Sequence, residues 1–482
     1  MNNYFTKISK FLLYLVPFTL VIVYAGTLFP FIVGKYTYFR TIILLALVFF
    51  VWGWARGELE RGVLGSLNKN IKPHEQLGKK RIAREVWKPL LNPLAWAIGI
   101  FALIFLLAGF LGYNPSASFW SNFERGEGSL QLLCLFVFFG LLAMLFRDRK
   151  SWNRLFMISL GAGLLVFLYG LAADALIPGF IGASQADFMA NICQRFGGSL
   201  GNAAYVGTFM LFALFYSAYL FIENSAKKTK WVWASAMVLF FIVLLLSQTR
   251  GALLGLGAAI LGGLIYLFFS APKQQSKKII AGIFIFLLAG GLLAVYYRNK
   301  IDIMPFCGSQ SGGNRIIDIS TNAETYQTRL VLWEIAIKSF KDRPILGWGP
   351  ENFAPAFEAH YNPSQPAWFD RAHDIFFDYL VITGALGLLS FLSIFVIYYW
   401  IFMKNAKNLF EGYGEKESIF WKFERSVWLK ALIFALPIAY LVQGAVLFDV
   451  LPTYINLFLF LAFVNFILGQ KAADSRPSVN NN

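Results

Sequence analysis

The sequence is short of charge, cysteine and histidine, and each shortage closes off a class of protein. Charged residues make up 14% of the 482, where a soluble chain carries about a quarter. That excludes an ordinary water-facing globular surface. Three cysteines form neither a disulfide framework nor a zinc pattern. Cys134 falls inside an apolar run, whereas Cys193 and Cys307 fall in polar stretches placed below outside the membrane, where a bridge between them is permitted. The histidines are His74, His360 and His373, so side chains that accept a proton near neutral pH are few. No internal repeat is evident, which argues against a transporter built from two related halves.

Apolar residues are abundant, at 58% with a mean hydropathy of +0.59. They are gathered into runs of roughly 17 to 25 residues, the length of helix that crosses a bilayer. The runs are 11–33, 36–55, 90–112, 129–146, 155–177, 203–222, 231–247, 252–269, 279–297, 375–403, 427–448 and 452–469. They predict an all-α polytopic membrane protein of about twelve transmembrane helices in a single integral membrane domain. The first run is too long for a signal-peptide core and has no small-residue cleavage site, so it is expected to remain as a span.

A net charge of +16 would suggest nucleic acid as partner to a soluble chain. Here most of the basic residues lie in short segments between runs, among them RDRK at 147–150, KKTK at 227–230 and PKQQSKK at 272–278. That distribution encodes orientation. It predicts a multi-pass protein of the cytoplasmic (inner) membrane with both termini in the cytoplasm, a lipid bilayer as its surroundings and no nucleic-acid partner. The polar tail at 470–482 is expected to be disordered.

One long polar segment, 298–374, separates two runs and falls on the outer side in this topology. Polar loops of that length are usually functional. In its second half Leu330, Trp333, Ile337 and Phe340 recur at helix spacing until Pro344 and the turn Gly347-Trp348-Gly349-Pro350. An amphipathic helix is expected there, lying on the outer face and covering a cavity. The other notable outer segments are 113–128 and 178–202.

Arg250, in Ser247-Gln248-Thr249-Arg250-Gly251, stands at the tip of a tight hairpin between two runs. It is either an interfacial arginine reaching for lipid headgroups or a cation facing a buried anion. Arg329 alone reads as solvated, but with Arg250 it makes a two-arginine clamp suited to a diphosphate, which the planar guanidinium fork binds through paired, charge-assisted bonds. Arg125 and Arg195 are further outer arginines that add to the field. His373 sits where the long segment enters a run, close in sequence to Asp370, Asp374 and Asp378. It is a structural histidine or a general base oriented by carboxylates. The same acids with His373 are also candidates for a divalent cation, although no second acidic cluster accompanies them. Glu124 and Glu127 are a weak signal for acid or base work. His360 lacks comparable neighbours, and His74 lies in a basic inner segment.

These pieces share one order along the chain. Gly198-Ser199-Leu200-Gly201-Asn202, the Arg250 segment, Arg329 with Trp333, the stretch from Arg343 to Phe353 that holds Gly347-Trp348-Gly349-Pro350, and Ala372-His373-Asp374 with Asp378 and Gly384 resemble the O-antigen ligase and polymerase superfamily over about residues 195–400. The resemblance implies a GT-C-like membrane glycosyltransferase whose partners are a polyprenyl-diphosphate-linked glycan donor and a glycan or glycolipid acceptor, working on the extracytoplasmic face. It implies that Arg250 and Arg329 hold the donor diphosphate and that His373 is the base, without a metal ion or other cofactor. Asp374, Asp378, Arg125, Arg195 and Asn202 are implied as supporting residues. The sequence departs from the family pattern at Asp374, where Asn is usual, and at Thr383, where Glu often stands. Ligation is the leading expectation, with repeat-unit polymerisation, or transport of the lipid-linked glycan, as alternatives.

Overall fold

The computed structural model describes residues 3–67, 79–122, 125–182, 195–224, 226–271, 274–297, 324–361, 368–406, 409 and 425–469. His74, Glu124, Cys193, Cys307 and the tail 470–482 lie outside the described residues.

Among the described residues the chain is helical wherever it is regular. Two helices begin it, α1 (Tyr4–Leu15) and α2 (Val33–Ala55), followed by the short α3 (Glu58–Leu67) and α4 (Lys79–Trp87). Next come α5 (Pro93–Phe110), α6 (Pro115–Trp120), α7 (Ser129–Leu145), α8 (Arg149–Asp174) and α9 (Ala203–Glu223). After them lie α10 (Lys227–Leu246), α11 (Arg250–Ser270), α12 (Gln274–Tyr296), α13 (Glu324–Asp342) and α14 (Phe353–Glu358). The chain closes with α15 (Ile375–Asn405), α16 (Arg425–Gly444) and α17 (Leu451–Gly469). Among the described residues ten helices are long and apolar enough to cross a membrane: α2, α5, α8, α9, α10, α11, α12, α15, α16 and α17. The 17-residue α7 is apolar but shorter.

The run 11–33 is not the continuous span expected of it. Helix α1 starts earlier, at Tyr4, and gives way at Leu15 to a 3₁₀ turn, Val16–Leu20, that contains Pro17. Proline lacks the N–H that an α-helix interior requires and clashes with the preceding turn. The chain then runs irregularly to Val33, with Tyr24 N–H donating to Pro30 O at 2.9 Å.

Helices α17 and α9 form the centre of the bundle, with 83% and 78% of their apolar windows buried, whereas α12 stands at the edge with 11%. Around them Phe156 stacks on Tyr216 with centroids 4.7 Å apart, and Phe463 meets Tyr219 edge-on at 5.0 Å. Apolar attraction between helices is weak in lipid, so dispersion packing and interhelical polar bonds must carry the association. Tyr216 Oη donates to Asn456 Oδ1 at 2.8 Å, and Gln443 Nε2 donates to Thr208 Oγ1 at 2.7 Å.

Helix α13 forms where the spacing predicts it, but its buried face is rotated. Leu332, Ile335, Ala336 and Ser339 are buried, whereas Leu330 and Ile337 are exposed. Periodic spacing of apolar residues marks the helix without saying which of them meet the neighbouring helix.

Candidate functional site

Several helix N-termini meet at one end of the bundle. Thr249 Oγ1, just before α11, donates to Ala203 O at the start of α9 at 3.0 Å. Leu451 N–H, at the start of α17, donates to Glu127 Oε1 just before α7 at 3.1 Å. Lys35 Nζ, in the first turn of α2, donates to Ser199 O at 2.8 Å. Each N-terminus carries about half a positive charge from the aligned peptide dipoles, and the C-termini of α10, at Leu246, and α16, at Gly444 against Ile375, bring the opposite partial charge to the same end. The sequence-predicted arginines add whole charges at the same end.

The chain enters this end through an interlock with α15. Gly384 breaks α15 with φ 64° and ψ −168°, which leaves carbonyls of the preceding turn without helical donors. The segment after Pro344 supplies replacements: Trp348 N–H donates to Val381 O and Gly349 N–H to Ile382 O, both at 2.9 Å. In return Ala385 N–H donates to Pro344 O at 2.9 Å and Leu386 N–H to Ile345 O at 3.2 Å. Gly347 has φ 70°, and a Cβ there would lie 2.4 Å from Val381 O. The Gly-Trp-Gly-Pro turn is therefore a structural latch. Trp348 Nε1 donates to Ser339 O at 2.8 Å, tying the latch to α13.

His373 lies just before the first residue of α15, about three turns upstream of that break, with φ 54°. Its ring is held edge-on between Phe369, at 5.6 Å, and Phe448, at 5.0 Å. Burial lowers its pKa to about 4, and the charges of Arg329 and Arg125 push it the same way against Asp370. His373 is therefore neutral across the physiological range, with a ring nitrogen available to take a proton. Burial, and then the neighbouring charge of Arg250, hold Arg329 below its ordinary value, with Asp374 acting in the opposite sense. Arg329 is thus coupled electrostatically to Arg250, His373 and Asp374. Trp333 of α13 stacks on Phe377 of α15, with centroids 5.6 Å apart, and so docks the helix that carries Arg329 beside His373.

The acidic residues around His373 are each engaged separately. Asp374 caps α15, its Oδ1 accepting from Phe376 N–H at 2.8 Å and Phe377 N–H at 3.1 Å. Asp378 Oδ1 accepts from Ala372 N–H at 2.7 Å. Asp370 takes a two-pronged bond from Arg125, whose Nε and Nη2 lie 2.8 and 2.9 Å from its two oxygens. The three carboxylates thus serve three separate sets of partners. Among the described residues no group of three or more His, Cys, Asp or Glu side chains gathers in a way that could hold a metal ion.

Other predicted residues take different places. Arg125 also lies over the Phe448 ring, 5.1 Å from its centroid, so it and His373 share one aromatic wall. Asn202 caps α9 by accepting from Ala204 N–H at 2.8 Å. Arg195 adjoins Phe196, whose N–H donates to Leu246 O at the end of α10 at 3.2 Å. His360 is paired with Asp342 at 2.7 Å.

Sequence reasoning overlooked Arg371. Its buried guanidinium bonds to Glu127 at 3.2 Å and to Glu351, whose other oxygen accepts from Ser121 at 2.7 Å. The only hint of this cluster was an acid in the Gly-Pro-Glu-Asn stretch and the bare presence of Glu127.

Residues 235–392 match the model of the O-antigen ligase family, designated Wzy_C. The matched stretch runs from within α10 to within α15 and contains Arg250, Arg329 and His373. No curated protein matches the chain.

Proposed function

Because residues 235–392 of this multi-pass membrane protein match the O-antigen ligase family, we propose that it is an inverting glycan transferase using a polyprenyl-diphosphate donor. The observation that carries this reading is a ring-clasped His373 under the charge of Arg329, which is itself under the charge of Arg250.

The chemistry follows from charge. In the proposed reaction the acceptor hydroxyl oxygen attacks the anomeric carbon and the bond from that carbon to the diphosphate oxygen breaks. The hydroxyl proton passes to the free ring nitrogen of His373, and polyprenyl diphosphate leaves with the bonding electrons. Attack opposite the leaving group inverts the anomeric centre. Arg250 and Arg329 hold the diphosphate and stabilise the negative charge it gains, the kind of interaction whose loss elsewhere costs about 10²–10³-fold in rate. With two guanidinium groups serving the leaving group, the proposed reaction runs without a metal ion or other cofactor.

Asp374 fits this scheme in a supporting role. Asn and Asp are equally good helix caps, so the departure from the family's Asn keeps the bond that fixes the backbone next to His373. Asp378 holds Ala372 N–H on its other side.

The proposed setting is the extracytoplasmic face of the cytoplasmic membrane, with both termini in the cytoplasm, a lipid-linked glycan as donor and a glycan or glycolipid as acceptor. A ligase would consume a lipid-A core acceptor, and a polymerase a second carrier-linked repeat unit. The test is transfer in vitro from purified lipid-diphosphate glycan to each acceptor in EDTA, with wild type, His373→Ala and Arg250→Ala at matched folding. Transfer by wild type that both substitutions abolish supports the reading, and the acceptor consumed separates ligase from polymerase. Movement of the lipid across vesicles without transfer would replace the reading with transport.

A further inference from the structure

The opposite end of the bundle carries a second, unrelated pocket. A cavity of about 640 Å³ opens there between α4 with the turn after it, the start of α5 and the ends of α15 and α17. It is opposite because α15 runs from His373 at its start to Lys404 and Asn405 at its end, and the cavity touches the latter pair.

Its walls are part cationic and part apolar. Arg84, Lys88, Arg147 and Lys404 line it against one carboxylate, Glu85. That carboxylate is committed to Lys88, at 3.3 Å. Arg147 is committed to backbone, donating from Nε to Met144 O at 2.9 Å and from Nη1 to Glu85 O at 3.2 Å. The exposed Arg84 and Lys404 have no carboxylate partner among the described residues. Lys404 lies over the Trp400 ring, 5.3 Å from its centroid. The apolar part includes Leu91, Leu94, Ile401 and Phe466.

The surfaces leading away from the cavity point to lipid as the source of the anion. Trp96, Ile100 and Leu103 stand exposed along α5, and Val396 and Trp400 along α15. Tryptophans near span ends mark the membrane interface. Basic pockets between helix ends bind anionic headgroups, each cation near the surface contributing about 1 kcal/mol.

We propose that this cavity binds an anionic phospholipid, with the headgroup phosphate at Arg84, Lys88 and Lys404 and the acyl chains along the exposed apolar side chains of α5 and α15. The commitment to lipid over free phosphate rests on the continuity of the cationic wall with that apolar surface. The site involves no residue of the His373 end and stands independently of the transferase reading.

The test is native mass spectrometry of the full chain in micelles doped with phosphatidylglycerol or phosphatidylcholine, with and without excess inorganic phosphate. Wild type is expected to retain phosphatidylglycerol roughly 10- to 30-fold better than phosphatidylcholine, as two or more cations imply. Arg84→Gln/Lys404→Gln is expected to lose that preference. Lys227→Gln/Lys228→Gln, which removes the same charge from the exposed start of α10, should keep it. The proposal is overturned by equal retention of the two lipids in wild type, by equal loss in both double variants, or by displacement of bound lipid by inorganic phosphate.

Discussion

The guanidinium of Arg371 and the carboxylate of Glu127 lie 3.2 Å apart, both side chains 8% exposed, and they join segments 244 residues apart in sequence. Glu127 also receives Leu451 N–H, so one acid fixes the His373 segment to the starts of α7 and α17. Breaking a buried pair by removing one partner leaves an uncompensated charge, at a cost of about 3–5 kcal/mol. Arg371→Ala should therefore lower the unfolding midpoint in detergent severely. A change below about 1 kcal/mol would place the pair among surface-like contacts.

The acid limb of the pH profile should shift when donor binds. A lowered histidine pKa means that the fold disfavours the protonated ring. His373 therefore contributes stability above its ordinary value of 6.5 that is lost as the pH falls through about 4. On the proposed mechanism the free enzyme keeps its base down to about pH 4, and kcat/KM should report that limb. Bound diphosphate neutralises the arginine charge that depresses the ring, so the acid limb of kcat should stand at higher pH. Coincident limbs would mean that diphosphate does not bind beside His373.

Arg250→Ala and Arg329→Ala should each lower kcat by about 10²–10³-fold if both stabilise the leaving group. Arg250→Lys should recover only part of that loss, because an ammonium keeps the charge without the two-pronged geometry. The check is single-turnover transfer from a lipid-diphosphate glycan. Full activity in either Ala variant would remove that residue from the diphosphate site.

Asn202 separates a cap from a contact with substrate. As the cap of α9 it should cost roughly 1 kcal/mol of stability on change to Ala, and Asn202→Asp should restore that stability. KM and kcat should follow the amount of folded protein. A change in KM at full folding would instead return Asn202 to the substrate site.

Gly347→Ala tests the latch. The residue combines φ 70° with a Cβ position 2.4 Å from Val381 O, and a strained backbone of this kind costs about 1–3 kcal/mol. Limited proteolysis should show α13 released from α15, and a variant with wild-type stability and protection would show that the latch does not hold that helix.

The sequence by itself determined the helices, because a helix that crosses lipid must be both long and apolar. Apolar runs from 36–55 through 452–469 correspond to helices from Val33–Ala55 through Leu451–Gly469. The places of Arg250 and His373 at the edges of apolar runs were also legible, whereas Arg329 stood inside the long polar segment and drew notice only beside Arg250. Only the tertiary structure decided what those residues meet. The cap role of Asn202, the bond from Arg125 to Asp370 and the burial of Arg371 between Glu127 and Glu351 depend on contacts between distant segments. In lipid an apolar side chain is stable on either side of a helix, so hydrophobicity marks the span without marking its partner.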